Sequence, residues 1–125
     1  ISGMDLARAA EPFAEYARAQ HTVLLITGAI DLVTDGTHSI GVTNGTPMLG
    51  RLTGTGCMVG ALAGTWYSSG DAFAAAALGT VYMGLAGEVA AKDKPGLGTF
   101  HMHLLDALGS LTPEQVVQEM KIVYA

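Results

Sequence analysis

The chain has 125 residues, half of them hydrophobic and 14% charged, with a formal charge of −5. That is enough apolar material for the core of one domain and too little charge for a disordered chain. The acidic balance disfavours nucleic acid or an anionic membrane as the main partner, while leaving room for a local anion site built from backbone N–H groups.

Read from the start, the chain opens at Ile1 without an initiator Met and runs almost at once into a helical pattern. The first residues lack the basic, apolar, small-residue order of a signal peptide. We expect residues 1–125 to be the C-terminal portion of a larger domain whose N-terminal half is absent. Leu6 to Gln20 reads as a helix capped by Asp5, with Leu6, Ala9, Phe13, Tyr16 and Ala17 near one face. Pro12 interrupts that pattern and suggests a start nearer Glu11. "TVLLIT" (residues 22–27) is a continuous apolar run closed by Gly28, as expected of a strand buried on both faces in a parallel sheet. "AIDLVTD", "HSIGVTN" and "TPMLGRL" follow, separated by Asp35-Gly36 and Asn44-Gly45. Such dipeptides accept the positive φ of tight hairpin turns, so the pattern predicts a three-strand meander from about Ile30 to Leu52.

Residues 54–67 are almost uncharged and apolar all round, which predicts a central, buried helix. Asp71 is placed to cap the next helix, over residues 72–91. That run is long and apolar enough to raise a membrane-spanning reading, but it is rich in Ala and Gly, carries Glu88 and has no aromatic belt. Its Gly79, Gly84 and Gly87 each cost a helix about 1 kcal/mol against alanine, and close approach of another backbone is the usual compensation. "KPGLGTF" reads as a glycine loop leading into a helix near "HMHLLDAL". Thr112, Pro113 and Gln115 form a capping-box start for a last helix.

The chemistry concentrates in "LTGTGCMVGAL". The pattern predicts a strand ending near Leu52 and a helix beginning near Gly56. The first turn of a helix has N–H groups without intrahelical partners, and those donors with the helix dipole favour an anion. Gly54 and Gly56 remove side chains, so a phosphoryl group can reach the backbone. Cys57 would then project beside that anion, placed to act as a base toward an alcohol or as a nucleophile. The plain alternative is that these glycines serve packing and that the cysteine is a small apolar filler. The turn is not a P-loop, because no Lys-Ser/Thr pair follows the glycines. A cysteine hydrolase or transferase would need a histidine base, and no signature ties His21, His38, His101 or His103 to Cys57. His101 and His103 point to nearly opposite sides of a helix, so they make a poor metal pair.

Several stretches, in order, resemble the hydroxyethylthiazole kinase family of the ribokinase-like fold. They are "LLITGAIDLVTDG", "NGTPMLGRLTGTGCMVGALAG", and "GLGTF" followed by "LLDAL"; the opening "ISGMD" is a weaker match. Related sugar kinases usually carry Asp where Cys57 stands, which makes the Gly-Thr-Gly-Cys turn the most specific element. Leu97 stands where the family often has proline, and Ala29 where it often has glutamate. The resemblance implies an α/β, partial ribokinase-like fold: a strand, a β-meander, then packed helices. It implies ATP-dependent phosphorylation of the hydroxyl of 4-methyl-5-(2-hydroxyethyl)thiazole, with ATP and Mg²⁺. It places Cys57 as general base and Gly54, Thr55, Gly56 and Cys57 as anion hole. Gly54 also approaches the alcohol, and Thr27 contacts ATP. The acidic residues on the Mg²⁺ side are expected in the absent half, with no metal ligand in this chain. A homotrimer in the cytoplasm is implied as well. The isolated chain is expected to be silent, and the rival readings are a non-catalytic fragment or binding module and another ribokinase-like small-alcohol kinase.

Overall fold

The computed structural model describes residues 5–125; Ile1 to Met4, and with them most of the weak "ISGMD" match, lie outside the described residues. A four-stranded antiparallel sheet, in the order β1 (Leu24–Ile26), β2 (Asp31–Thr34), β3 (Ser39–Val42) and β4 (Ile122–Tyr124), is packed between helices. This is an α/β fold, as expected.

Helix α1 (Leu6–Gln20) begins at the Asp5 cap and not near Glu11 as Pro12 suggests, with the Asp5 carboxylate accepting the Ala7 N–H at 3.1 Å. The buried face differs from the expected one. Ala10, Ala14 and Ala17 are covered, while Phe13 and Tyr16 face solvent. The sheet receives this helix at Gly41 of β3, where an added Cβ would lie 2.7 Å from Leu6 Cδ2. Pro12 sits inside the helix on its exposed side, where water can satisfy the carbonyl that loses its partner.

Among the described residues the expected parallel sheet is not formed. β1 is an edge strand, half-buried, paired antiparallel with β2 in the register Leu25 to Val33. The connection between them, residues 27–30, is too short for the crossover that parallel strands need. The Asp35-Gly36 hairpin is as expected, with Gly36 at φ +92° and the Asp35 carboxylate taking the N–H groups of Thr37 (2.8 Å) and His38 (2.6 Å). Desolvation opposes ionisation of Asp35, but these bonds to its anion prevail and hold the carboxyl below its ordinary value.

The predicted third strand of the meander is a 3-10 turn, Pro47–Arg51. Thr46 caps it and Pro47 starts it, a local helix-start signal that outweighs the strand pattern. Asn44-Gly45 is therefore no hairpin. At its far edge the sheet is extended instead by β4, which follows α5 (Pro113–Glu119) and pairs with β3. The Thr112 capping box is present, with both reciprocal bonds made (3.2 and 2.9 Å).

Helix α2 (Thr55–Trp66) is not the buried helix its composition predicts: it buries only Val59 among the described residues and rests one face on α3. An apolar pattern on every face says that burial is tolerated, not that this chain supplies a cover. The central helix is α3 (Ala72–Ala90), capped by Asp71 and flanked by α2, by α4 (Leu97–Ser110) and by the sheet. It is long and apolar enough to cross a membrane, yet 56% of its most apolar 18-residue stretch is buried within the fold, as befits a core helix. On one side α3 packs with Val33, Ile40, Val42 and Val116; on the other, Met83 and Ala86 meet Phe100 and Leu104 of α4. Helix α4 starts at Leu97, earlier than the sequence suggests.

Candidate functional site

A cleft of about 460 Å³ lies where the β1–β2 connection, the segment after β3, the start of α2 and the middle of α3 meet. Each wall has a local cause. Thr27, Gly28 and Ala29 come from the short β1–β2 connection and Asp31 from the first position of β2; the Asp31 carboxylate closes the connection by accepting the Gly28 N–H at 2.8 Å. Thr43, Asn44, Gly45, Thr46, Pro47, Leu49 and Gly50 form a second wall. Thr55, Gly56 and Val59 come from α2, and Thr80, Met83 and Gly84 from α3.

The start of α2 has the features of an anion-accepting turn. Gly54 is its N-cap at φ +94°, a left-handed conformation that favours glycine, and no side chain caps the helix. The first amide to find an acceptor is that of Met58, which donates to the Gly54 carbonyl at 3.0 Å. The N–H groups of Thr55, Gly56 and Cys57 meet no protein acceptor among the described residues. The Thr55 hydroxyl is occupied, donating to the Leu49 carbonyl at 3.0 Å and tying the helix start to the 3-10 turn. A Cβ on Gly56 would meet nothing within 4 Å. Unpaired donors at the positive end of a helix dipole make the local field favourable to negative charge despite the chain's acidic balance.

Of the residues singled out by sequence, Thr27, Thr55 and Gly56 border the same cleft. Gly54 and Cys57 are exposed and are not among its lining residues. The four histidines are apart from the cleft lining, and His101 and His103 are both exposed on α4.

Sequence reasoning missed Asp31, Asn44, Gly45 and Gly84. Asp31 is the one carboxylate among the lining residues. Desolvation raises its carboxyl above the usual value of 3.8, and the Gly28 bond only partly offsets that. Asn44 was hidden by its turn-like Asn-Gly context. Its side chain is buried, donating to the Glu119 carbonyl at 3.0 Å and accepting the Lys121 N–H at 2.7 Å. Gly84 carries the signal that mid-helix glycines give, and its close neighbour is the Asn44 backbone.

The chain is 40% identical over 122 residues to a hydroxyethylthiazole kinase of Desulfotalea psychrophila, covering 97% of this chain and 45% of the relative. It is 40% identical over 121 residues to a hydroxyethylthiazole kinase of Pyrococcus furiosus, covering 97% of this chain and 46% of the relative. It superposes on a solved hydroxyethylthiazole kinase protein from Pyrococcus horikoshii with a TM-score of 0.87 and 33% identity, over 95% of this chain and 47% of that one. The chain thus spans about half the length of the curated relatives it matches. With residues 2–114 also matching the profile of the hydroxyethylthiazole kinase family, the chain belongs to that family and has its ribokinase-like α/β fold.

Proposed function

We propose that this chain carries the phosphoryl-transfer side of an ATP-dependent kinase acting on the hydroxyl of 4-methyl-5-(2-hydroxyethyl)thiazole, in thiamine biosynthesis and salvage. The observation that carries the reading is the cluster of unpartnered amides at the start of α2, where Thr55 and Gly56 border the same cleft as Thr27. In this reading the backbone of Gly54, Thr55, Gly56 and Cys57 is the anion hole, with donors fixed in advance where charge builds on the γ-phosphoryl group. Thr27 contacts ATP, and Gly54, lacking a side chain, lets the thiazole alcohol approach. Cys57 acts as the base that accepts the hydroxyl proton. The alcohol oxygen forms the new bond to phosphorus, and the bond to the bridging oxygen breaks with its electron pair leaving on ADP. Phosphoryl transfer asks mainly for positioning and charge stabilisation, which a helix start supplies, and a loose transition state needs only modest help from a base.

The reaction class brings Mg²⁺ with ATP, but the lining residues do not fit a cation by themselves. Asp31 is their one carboxylate, and no group of three or more His, Cys, Asp or Glu converges among the described residues. By family resemblance the assembly is a homotrimer in the cytoplasm, a reducing compartment that suits a lone thiol. Since the chain spans about half of its relatives, we take it to be silent in turnover by itself, which is also what a non-catalytic binding fragment would show.

The decisive experiment measures thiazole-alcohol phosphorylation in the intact enzyme carrying this segment. Cys57→Ser should lower kcat by about 10²–10³, well short of the roughly 10⁶ lost when a covalent nucleophile is removed. Cys57→Asp should keep activity. A folded Cys57→Asp enzyme without activity refutes the base assignment. Titration with ATP, with and without the alcohol, then separates this reading from a kinase for another small alcohol.

A further inference from the structure

One face of α3 is built to receive the cleft wall. Gly84 leaves room for it: a Cβ there would clash with the Asn44 carbonyl oxygen and lie 2.7 Å from the Asn44 Cβ. Gly87 does the same for Leu49, whose Cδ1 would be 2.8 Å from an added Cβ. Glu88, one helical turn after Gly84, shares that face. Its Oε1 accepts the Gly45 N–H at 3.0 Å, the Asn44 side-chain amide at 3.4 Å and the Lys121 ammonium at 3.1 Å. All three donors are distant in sequence, so this is not a local turn motif. Gly45 is at φ +145°, and its N–H would otherwise depend on water. The Asn44 side chain is in turn held by Glu119 and Lys121.

We propose that Glu88 is a positioning residue: its carboxylate fixes the Asn44–Gly45 backbone as one wall of the cleft, without itself lining the cleft. The inference rests on the reading of that cleft as the phosphoryl-transfer site. Glu88 adds a function that its exposed ion pair with Lys121 alone would not have, because pairs of that kind contribute little to stability.

The test uses amide NMR spectra of the whole chain with Glu88→Ala and Glu88→Gln. Glutamine keeps an oxygen that accepts from Gly45, so it separates hydrogen bonding from charge. Glu88→Ala should reduce hydrogen-exchange protection of the Gly45 amide by about tenfold or more, with Glu88→Gln within about threefold of the parent. ATP and 4-methyl-5-(2-hydroxyethyl)thiazole are titrated separately. Whichever ligand the parent binds should bind Glu88→Ala about tenfold more weakly and Glu88→Gln nearly as well. Unchanged Gly45 protection in Glu88→Ala, or unchanged affinity for a ligand the parent binds, overturns the proposal. If the parent binds neither ligand, the functional reading of the isolated cleft fails, while Gly45 exchange still decides whether Glu88 sets the wall. Should Glu88→Ala not fold, the Glu88→Gln arm decides, since loss of Gly45 protection or of binding there refutes a role through the hydrogen bond.

Discussion

Replacing Gly79 by alanine should destabilise this protein, although alanine is the better helix former. Gly79 lies inside α3, and a Cβ there would be 2.7 Å from the Ala63 nitrogen and 2.9 Å from its Cα. Both atoms are backbone of α2, so relief requires the helix to shift rather than a side chain to rotate. Overpacking costs about 1–3 kcal/mol, and a clash with backbone falls in the upper part of that range, about 2–3 kcal/mol. Against it stands about 1 kcal/mol of helix propensity gained. The net expectation is a loss of roughly 1–2 kcal/mol, or about 3–8 °C in the melting midpoint. Gly60, on α2, is the internal control: a Cβ there meets nothing within 4 Å. Gly60→Ala should therefore stabilise, by at most about 1 kcal/mol. Thermal and urea melts followed by circular dichroism read both. If Gly79→Ala proves neutral or stabilising, the close packing of α2 on α3 is not the reason for the glycine. Because α2 carries the 54–57 turn, the same variant should also alter ligand binding there.

Other outcomes follow from the site. Gly54→Ala should lose roughly 1–2 kcal/mol, because its φ of +94° is one that alanine adopts poorly; a melt unchanged from the parent would show that the turn tolerates a side chain. Asp31 makes stability depend on pH. Desolvation raises its folded-state value above 3.8, so its contribution is most favourable at acid pH and is lost as pH rises through the raised value. Asp31→Asn keeps an acceptor for Gly28 and removes the charge, so it should raise the melting temperature at neutral pH, with the gain fading below about pH 4. A pH-independent difference, or a loss at neutrality, contradicts that account.

What was readable along the chain was local. Asp5, Asp35-Gly36, Asp71 and the Thr112 capping box each declare an element start or turn within a few residues, and each is found where the pattern puts it. The 54–57 turn was legible for the same reason: glycines before an apolar run describe a helix start, and a helix start has unpaired amides wherever it lies.

The rest was decided by partners distant in sequence. β1 has the composition of a doubly covered strand, yet its neighbour is fixed by a short connection, which makes the pair antiparallel. α2 is apolar all round, yet how much of it is covered depends on what packs against it. Asn44 resembles a hairpin residue, and only contact with Glu88, Glu119 and Lys121 turns it into the anchor of a cleft wall. Hydrophobic pattern and turn chemistry act over one or two turns of chain. Burial and cleft formation depend on which surfaces meet, and that is settled only when the whole tertiary structure closes.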